Sequence, residues 1–524
     1  MSVFLQRQNR NYLAVYLVLF LSCSYLAFLV SSIHNGVFYS ADGGVKYMTV
    51  KQLAEGHGFK YLHLSQPSWV QSIWQAGFFP LRPPFVYSSP GGYMYVFPPA
   101  FQVINSFFYS ILGYKGLYTL PLLCTLLLWL VTILLLKRCN IAPSRIAMAL
   151  FLLIFCSPLT LYGTIYWEHL PATLLLFSGL AFIVSTPDRV WAAIAMGLVS
   201  GLAIFLRPEA IMMNFLYALA VFVLYRRDKR SIGEKRPVYI AFVSCLFLSV
   251  LAFMAFNKLE YGSFLGPHGY QLTDATDTDD HLGFAKGLSN LGITNYKSIR
   301  SFAFILLLFP IVYRLTKTKD SADLRPGLLA SIVLVFCLLT PFILPNAGGK
   351  QWGARYFLPV IPIVVVLLFL IDQQWKILEG GAKIPMWLRG FILLCTAYSF
   401  YYNTFTGGVE DLRWSYISRV TPYLDELEKK DGNVVVVSDA YMVYEMGYLF
   451  DKDYFFLAPG DDSLNRLLPL LKRQGIHEYT YIFNPRNPAS QPKSLRDSTT
   501  KYLWPLAGTK KIKDEFYCTK YVLP

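Results

Sequence analysis

The chain has 524 residues, of which 55% are hydrophobic and only 15% charged, and its mean hydropathy is +0.41. That balance excludes an ordinary soluble domain and predicts a polytopic α-helical membrane protein. The formal charge of +15 sits in short basic clusters between apolar stretches, among them Lys137-Arg138, Tyr225 to Arg230 and Arg314 to Lys317, which is the pattern of cytoplasmic loop anchors and not of a nucleic-acid surface.

The eight cysteines are scattered, mostly within apolar segments, and predict no disulfide framework. The first apolar run, 12–33, follows Arg7 and Arg10 and is too long for a signal-peptide core. It is expected to be a retained helix with its N-terminus in the cytoplasm, so that Asp42, in the run Ser40-Ala41-Asp42-Gly43-Gly44-Val45-Lys46-Tyr47, faces the outside. Helical spacing continues through Lys51 and Leu53 until Glu55-Gly56-His57-Gly58 breaks it. The rest of the first outer loop, 34–94, is dense in aromatic residues and proline: Trp69, Trp74, Arg82-Pro83-Pro84 and Tyr87. Such a loop suits stacking on sugar rings or lipid head groups, and equally suits plain interfacial anchoring.

About eleven or twelve apolar segments follow in all, at 12–33, 95–113, 117–137, 146–163, 170–187, 191–206, 210–225, 238–256, 300–315, 327–344, 356–371 and 386–402, given a span requirement of about 20 residues. If every one crossed, most later basic clusters would lie outside, against the positive-inside rule. Making 95–113, which starts at Pro98-Pro99, non-spanning removes the conflict and puts Asp42, Glu168, the loops 257–298 and 345–355 and the C-terminal tail on one outer side.

Between these segments lie four polar sites. Asp42 reads either as a solvated charge at a helix end or as a general base beside the membrane. Tyr166-Trp167-Glu168-His169 sets a carboxylate beside a histidine, able to orient a base, bind an acceptor or contribute to a metal site. Arg207-Pro208-Glu209 interrupts an apolar hairpin, where charges are costly unless they pair internally or line a polar cavity. Lys350, Trp352, Arg355 and Tyr356 in the glycine-rich run before 356–371 suit either a lipid-linked phosphate or plain snorkelling. The acidic run Asp274, Asp277, Asp279 and Asp280 lacks the turn glycine and distal glutamate of an EF-hand loop. From about residue 404 the composition shifts: Val434 to Val437 and Tyr479 to Phe483 read as strands and Leu464 to Leu471 as an amphipathic helix, which predicts a small α/β domain over 404–524 after a membrane module over 1–403. No phosphate-loop glycine signature follows its strands.

Taken in order, Asp42 with Lys46-Tyr47 after the first helix, Trp167-Glu168, Arg207-Pro208-Glu209 and Trp352-Gly353-Ala354-Arg355-Tyr356-Phe357-Leu358-Pro359 resemble the GT-C superfamily of membrane glycosyltransferases, in the bacterial branch of protein O-mannosyltransferases and aminoarabinose transferases. The resemblance covers about residues 10–400. It implies a polyprenyl-phosphate-linked sugar donor, a glycan, lipid or protein acceptor, an active site on the non-cytoplasmic face of a bacterial inner membrane, inversion at the sugar, and Asp42 as catalytic base. Substrate-binding roles then fall to Lys46, Tyr47, Arg82, His169, Arg207, Glu209, Lys350, Trp352, Arg355 and Tyr356. Many relatives carry two adjacent acids where this chain has Asp42-Gly43, so Glu168 is the expected second acid and a divalent cation stays open. A lipid-linked saccharide flippase is disfavoured because no internal repeat is visible, whereas a non-catalytic scaffold binding lipid phosphate would keep the basic groove without needing Asp42.

Overall fold

The computed structural model describes residues 2–227, 232–267, 269–270, 299–308, 324–343, 352–378, 386–416, 427–429, 431–483 and 517–522. Lys350 and the acidic run at 274–280 lie outside them. In chain order the elements are α1 (Ser2–Val30), α2 (Ala41–Ala54), α3 (Ser68–Ile73), β1 (Val86–Ser89), β2 (Gly92–Tyr95), α4 (Ala100–Leu112), α5 (Thr119–Arg138), α6 (Pro143–Phe155), α7 (Leu159–Tyr162), α8 (His169–Ser185), α9 (Val190–Leu206), α10 (Ala210–Arg227) and α11 (Ile232–Tyr261). A 3-10 segment, Ile299–Leu307, follows, then α12 (Arg325–Ile343), α13 (Val360–Leu378), α14 (Met386–Phe400), a π-helical segment Tyr401–Tyr416, β3 (Val434–Val437), α15 (Ala440–Glu445), β4 (Tyr454–Leu457), α16 (Gly460–Arg473), β5 (Glu478–Phe483) and β6 (Tyr517–Val522).

Two departures from the expected helices have local causes. The apolar run 146–163 stops as a helix at Phe155, because Pro158 disfavours helical backbone before it and Ser157 Oγ turns back onto the Leu153 carbonyl. The run expected at 300–315 is a 3-10 segment over its described part, kinked at Phe302 with φ −145° and ψ 60°.

The chain forms two compact units. One comprises residues 1–31 and 118–411 and is a helical bundle. Its surface carries large apolar side chains that water would penalise: Phe20 is 68% exposed on α1, Phe247 61% on α11 and Leu393 69% on α14. Tyr12–Val30, Lys235–Tyr261 and the stretch Ala100–Arg138 are long and apolar enough to cross a membrane. The protein is a multi-pass membrane protein. Helices α9 and α11 approach through Gly197 and Gly201, four residues apart; a Cβ at Gly197 would press on the Phe242 carbonyl, and one at Gly201 would overlap Ser249. Small residues four apart let helix backbones pack closely where lipid offers no hydrophobic drive.

The other unit combines residues 32–117 with 412–524. Strands order β4-β3-β5-β6, with β3 parallel to both β4 and β5 and β6 antiparallel to β5. All four β3 valines are buried, as expected of a central parallel strand covered on both faces. Residues of the segment 34–94 complete this fold. Trp74 Nε1 donates to the Phe455 carbonyl of β4 at 2.8 Å, Gln66 Nε2 to the Phe450 carbonyl at 2.8 Å, and Lys51 Nζ pairs with Asp451 at 2.6 Å. Trp69 meets Tyr454 edge-on at 4.9 Å, so both loop tryptophans spend their rings on β4 and its flanks. At the closest approach Gly44 of α2 lies directly on the Tyr444 carbonyl of α15, where no Cβ fits.

Candidate functional site

Within the bundle, the break between α7 and α8, the turn between α9 and α10, and the 3-10 turn Arg355–Phe357 before α13 deliver polar side chains to one place. Each is where an apolar helix has to stop: Trp167-Glu168 before His169, Arg207-Pro208 after Leu206, and Gly353 with φ +64° ahead of Arg355. The Arg207 guanidinium bridges two carboxylates, donating from Nη1 to Glu168 at 3.0 Å and from Nη2 to Glu209 at 2.7 Å. Glu168 is only 3% exposed at its side chain, so this charge pair is screened little by water. His169 Nδ1 stands 3.9 Å from the same Glu168 oxygen, too far for a hydrogen bond.

Arg355 is buried, donates to the Tyr356 hydroxyl at 2.9 Å, and lies over two rings, Tyr356 at 4.8 Å and Trp167 at 5.5 Å. Arg207 lies over the same Tyr356 ring at 5.5 Å. Two guanidinium groups thus share one tyrosine ring, an arrangement that lowers the cost of holding cations away from water. These side chains form the polar end of a cleft whose walls are Ala172, Leu176, Ala210, Met213, Phe336 and Pro359. The polar residues at its mouth are His169, Arg207, Glu209, Arg355 and Tyr356, with Glu168 behind them on Arg207.

Of the residues singled out from the sequence, the bundle therefore brings together Glu168, His169, Arg207, Glu209, Arg355 and Tyr356. Trp352 is close in sequence but turns away, its indole donating to Asn403 at 3.4 Å and packing on Tyr402 at 4.8 Å. The apolar wall of the cleft carries no sequence signal, since Leu176, Met213 and Phe336 look like any other core residue of a membrane helix.

Asp42, Lys46, Tyr47 and Arg82 belong to the other unit. Asp42 is buried in the first turn of α2, the positive end of that helix's dipole, and Lys46 follows one turn later, 1% exposed with its ammonium 4.4 Å from the Phe97 ring centre. The Tyr47 ring packs with Phe38, Tyr109, Tyr114 and Tyr448. Arg82 is exposed; its guanidinium donates to the Gly77 carbonyl, and its backbone N–H donates to the Tyr444 hydroxyl at 2.7 Å. Among the described residues no three His, Cys, Asp or Glu side chains converge as metal ligands do, and the Glu168–Glu209 pair already shares a guanidinium.

The chain matches no protein-family model and no curated protein sequence. Its fold does match solved structures. ArnT from Cupriavidus metallidurans bound to undecaprenyl phosphate is similar over 97% of each chain, at TM-score 0.53 and 13% identity. The apo state of that ArnT is matched over the same share at TM-score 0.49 and 13% identity. The Archaeoglobus fulgidus oligosaccharyltransferase tethered with an acceptor peptide gives TM-score 0.42 and 11% identity over 90% of this chain and 69% of that one. The helical bundle, the structured segment 34–94 and the C-terminal α/β elements together make this chain a polytopic membrane protein of GT-C-like fold, similar in architecture to ArnT.

Proposed function

We propose that the protein is a membrane glycosyltransferase that moves a sugar from a polyprenyl-phosphate-linked donor to an acceptor on the extracytoplasmic face of a bacterial inner membrane, with its N-terminus in the cytoplasm and its C-terminal α/β domain outside. One observation carries this reading: Arg207 and Arg355 meet over Tyr356 at the mouth of a cleft with apolar walls, inside a bundle that faces lipid. Such a cleft suits a ligand with an anionic head and a hydrocarbon tail. Guanidinium groups bind phosphate oxygens in pairs, and the aromatic faces beneath them keep them weakly hydrated. The likeness to ArnT with undecaprenyl phosphate bound supports the same class of ligand.

The reaction is a single displacement. The acceptor's O–H or N–H proton passes to a carboxylate, the freed lone pair forms a bond to the anomeric carbon, and the bond from that carbon to the phosphate oxygen breaks with its electron pair. The sugar inverts, and polyprenyl phosphate leaves with a charge that Arg355 and Arg207 stabilise. Asp42 is the carboxylate to which we assign the proton; Glu168, held by Arg207, orients that guanidinium. Losing one donor to a developing oxyanion typically costs about 2.7–4 kcal/mol, and losing a general base about 10²–10⁴ in rate.

The test uses the full-length protein in nanodiscs with a panel of radiolabelled polyprenyl-phosphate sugars, comparing wild type, Asp42→Asn and Arg355→Ala. Turnover abolished in Asp42→Asn with donor binding intact, together with weakened binding in Arg355→Ala, is the expected result. Equal turnover by wild type and Asp42→Asn removes Asp42 as base. Donor binding without turnover by the wild type, across donors and acceptors, leaves a lipid-phosphate scaffold, and no binding at all returns the transporter reading.

A further inference from the structure

The strand of chain that carries Arg355 is held from behind by three parts of the bundle distant from it in sequence. Tyr162 of α7 donates its hydroxyl to the Trp352 carbonyl at 3.0 Å. Ser301, in the 3-10 segment, accepts the Ala354 N–H on its Oγ at 3.2 Å. Asn403, in the π-helical segment, accepts the Trp352 indole N–H at 3.4 Å, while its amide nitrogen lies 2.6 Å from the Ser301 carbonyl, 2.9 Å from that of Ser399 and 3.1 Å from that of Cys156. Ser301 is fully buried and Asn403 is 1% exposed. Between the two anchors Gly353 takes φ +64°, with the position of a Cβ only 2.8 Å from the Ser301 side chain, so the strap lies flat on Ser301 and turns sharply into Arg355.

Burying this many polar groups among apolar side chains is costly unless each is paired. An apolar contact would hold a strap against a bundle more cheaply but without fixing its direction, whereas hydrogen bonds from Ser301, Asn403 and Tyr162 fix both position and rotation of the 352–354 backbone. The residue that follows is Arg355, whose guanidinium is useful only if it reaches the cleft at a defined height beside Tyr356.

We infer that Ser301 and Asn403 are positioning residues for lipid-phosphate binding, setting the Arg355 guanidinium at the mouth of the cleft through the Trp352–Ala354 strap. Neither residue touches the cleft, and neither lies in a sequence pattern that points to phosphate. This inference rests on the proposed use of the cleft, and its test separates the two.

Binding of polyprenyl phosphate and of the uncharged polyprenol is measured on nanodisc protein for wild type, Ser301→Ala, Trp352→Phe, Arg355→Ala and the two double variants with Arg355→Ala, each with its melting temperature. Ser301→Ala and Trp352→Phe each remove one strap hydrogen bond, and the melting temperatures report any loss from the smaller phenyl ring. Hydrogen bonds to charged groups set the scale for Arg355→Ala at about 10- to 100-fold weaker phosphate binding. Ser301→Ala and Trp352→Phe are expected to weaken polyprenyl phosphate about 3- to 10-fold, leave polyprenol within about twofold, and have almost no further effect once Arg355 is alanine, as coupled residues do. If both ligands weaken equally, or the single effects multiply in the double variants, the strap is ordinary structure and the inference falls. If Arg355→Ala binds polyprenyl phosphate like wild type, the proposed use of the cleft falls instead.

Discussion

Replacing Arg207 with methionine strips a half-buried guanidinium from two carboxylates at once, and the structure says how unequal the two losses are. Glu168 is 3% exposed and 3.0 Å from Nη1, so removing its partner leaves a buried charge with its strongest contact gone, a change that costs about 3–5 kcal/mol. Glu209 is 25% exposed at the mouth of the cleft, and its share is about 1 kcal/mol. Arg207→Met is therefore expected to destabilise the bundle by about 4–6 kcal/mol, Glu209→Gln by about 1, and Glu168→Gln, which keeps an oxygen acceptor, by about 2. Because Arg207→Met and Glu168→Gln each break the same pair, the double variant should cost less than their sum by about 2 kcal/mol or more. The measurement is denaturant unfolding in mixed micelles followed by tryptophan fluorescence. Single effects that add to within about 0.5 kcal/mol would show that Glu168 and Arg207 do not share a buried pair.

In the unit built from residues 32–117 and 412–524, Asp453 is almost wholly buried, and burial pushes its carboxyl up to about 6 although Asn433 donates to it twice. With the folded value above the unfolded one, the native state holds the extra proton, so stability of this unit should rise as pH falls from about 6 to about 4, and Asp453→Asn should flatten that rise in thermal melts. Gly44→Ala drives a methyl into the Tyr444 carbonyl and is expected to detach α2 from α15, detected as new proteolytic cleavage in the segment 34–94. Gly201→Leu should separate α9 from α11 at Ser249 and cost about 1–3 kcal/mol or more, read as a lowered melting temperature with the C-terminal unit unaffected.

What was legible in the amino-acid sequence follows a physical division between local and distant causes. Helices whose ends carry their own stop signals are plain: Glu55-Gly56 after α2 and Pro208 between α9 and α10. So is each charge set among apolar runs, because a charged side chain stands out there whatever its partner. Partnership is another matter. Arg207 reads naturally with Glu209, two residues on, yet it also holds Glu168, 39 residues back, and only the packing of α8 beside α9 brings that carboxylate within reach. The change of composition near residue 404 has the same limit: it is silent on Trp74 donating to Phe455 across 381 residues, one of the contacts that tie residues 32–117 to residues 412–524 in one unit.

Glycines show why such pairings stay hidden. Gly197 and Gly201 fall on one face of α9 at the spacing of close helix contacts, and that much is written in the chain. Their partner is not, since Phe242 and Ser249 on α11 are ordinary residues of an apolar helix until Gly197 and Gly201 press on them in turn. The strap before Arg355 is the same case with hydrogen bonds in place of close packing. Gly353 announces a turn, while Ser301 and Asn403, which decide where that turn places the guanidinium, are small polar residues of the kind that membrane helices tolerate anywhere. A residue that acts on a ligand must bear charge or an unusual shape, and so can be seen in a sequence. One that aims it needs only to be in the right place, and place is a property of the fold.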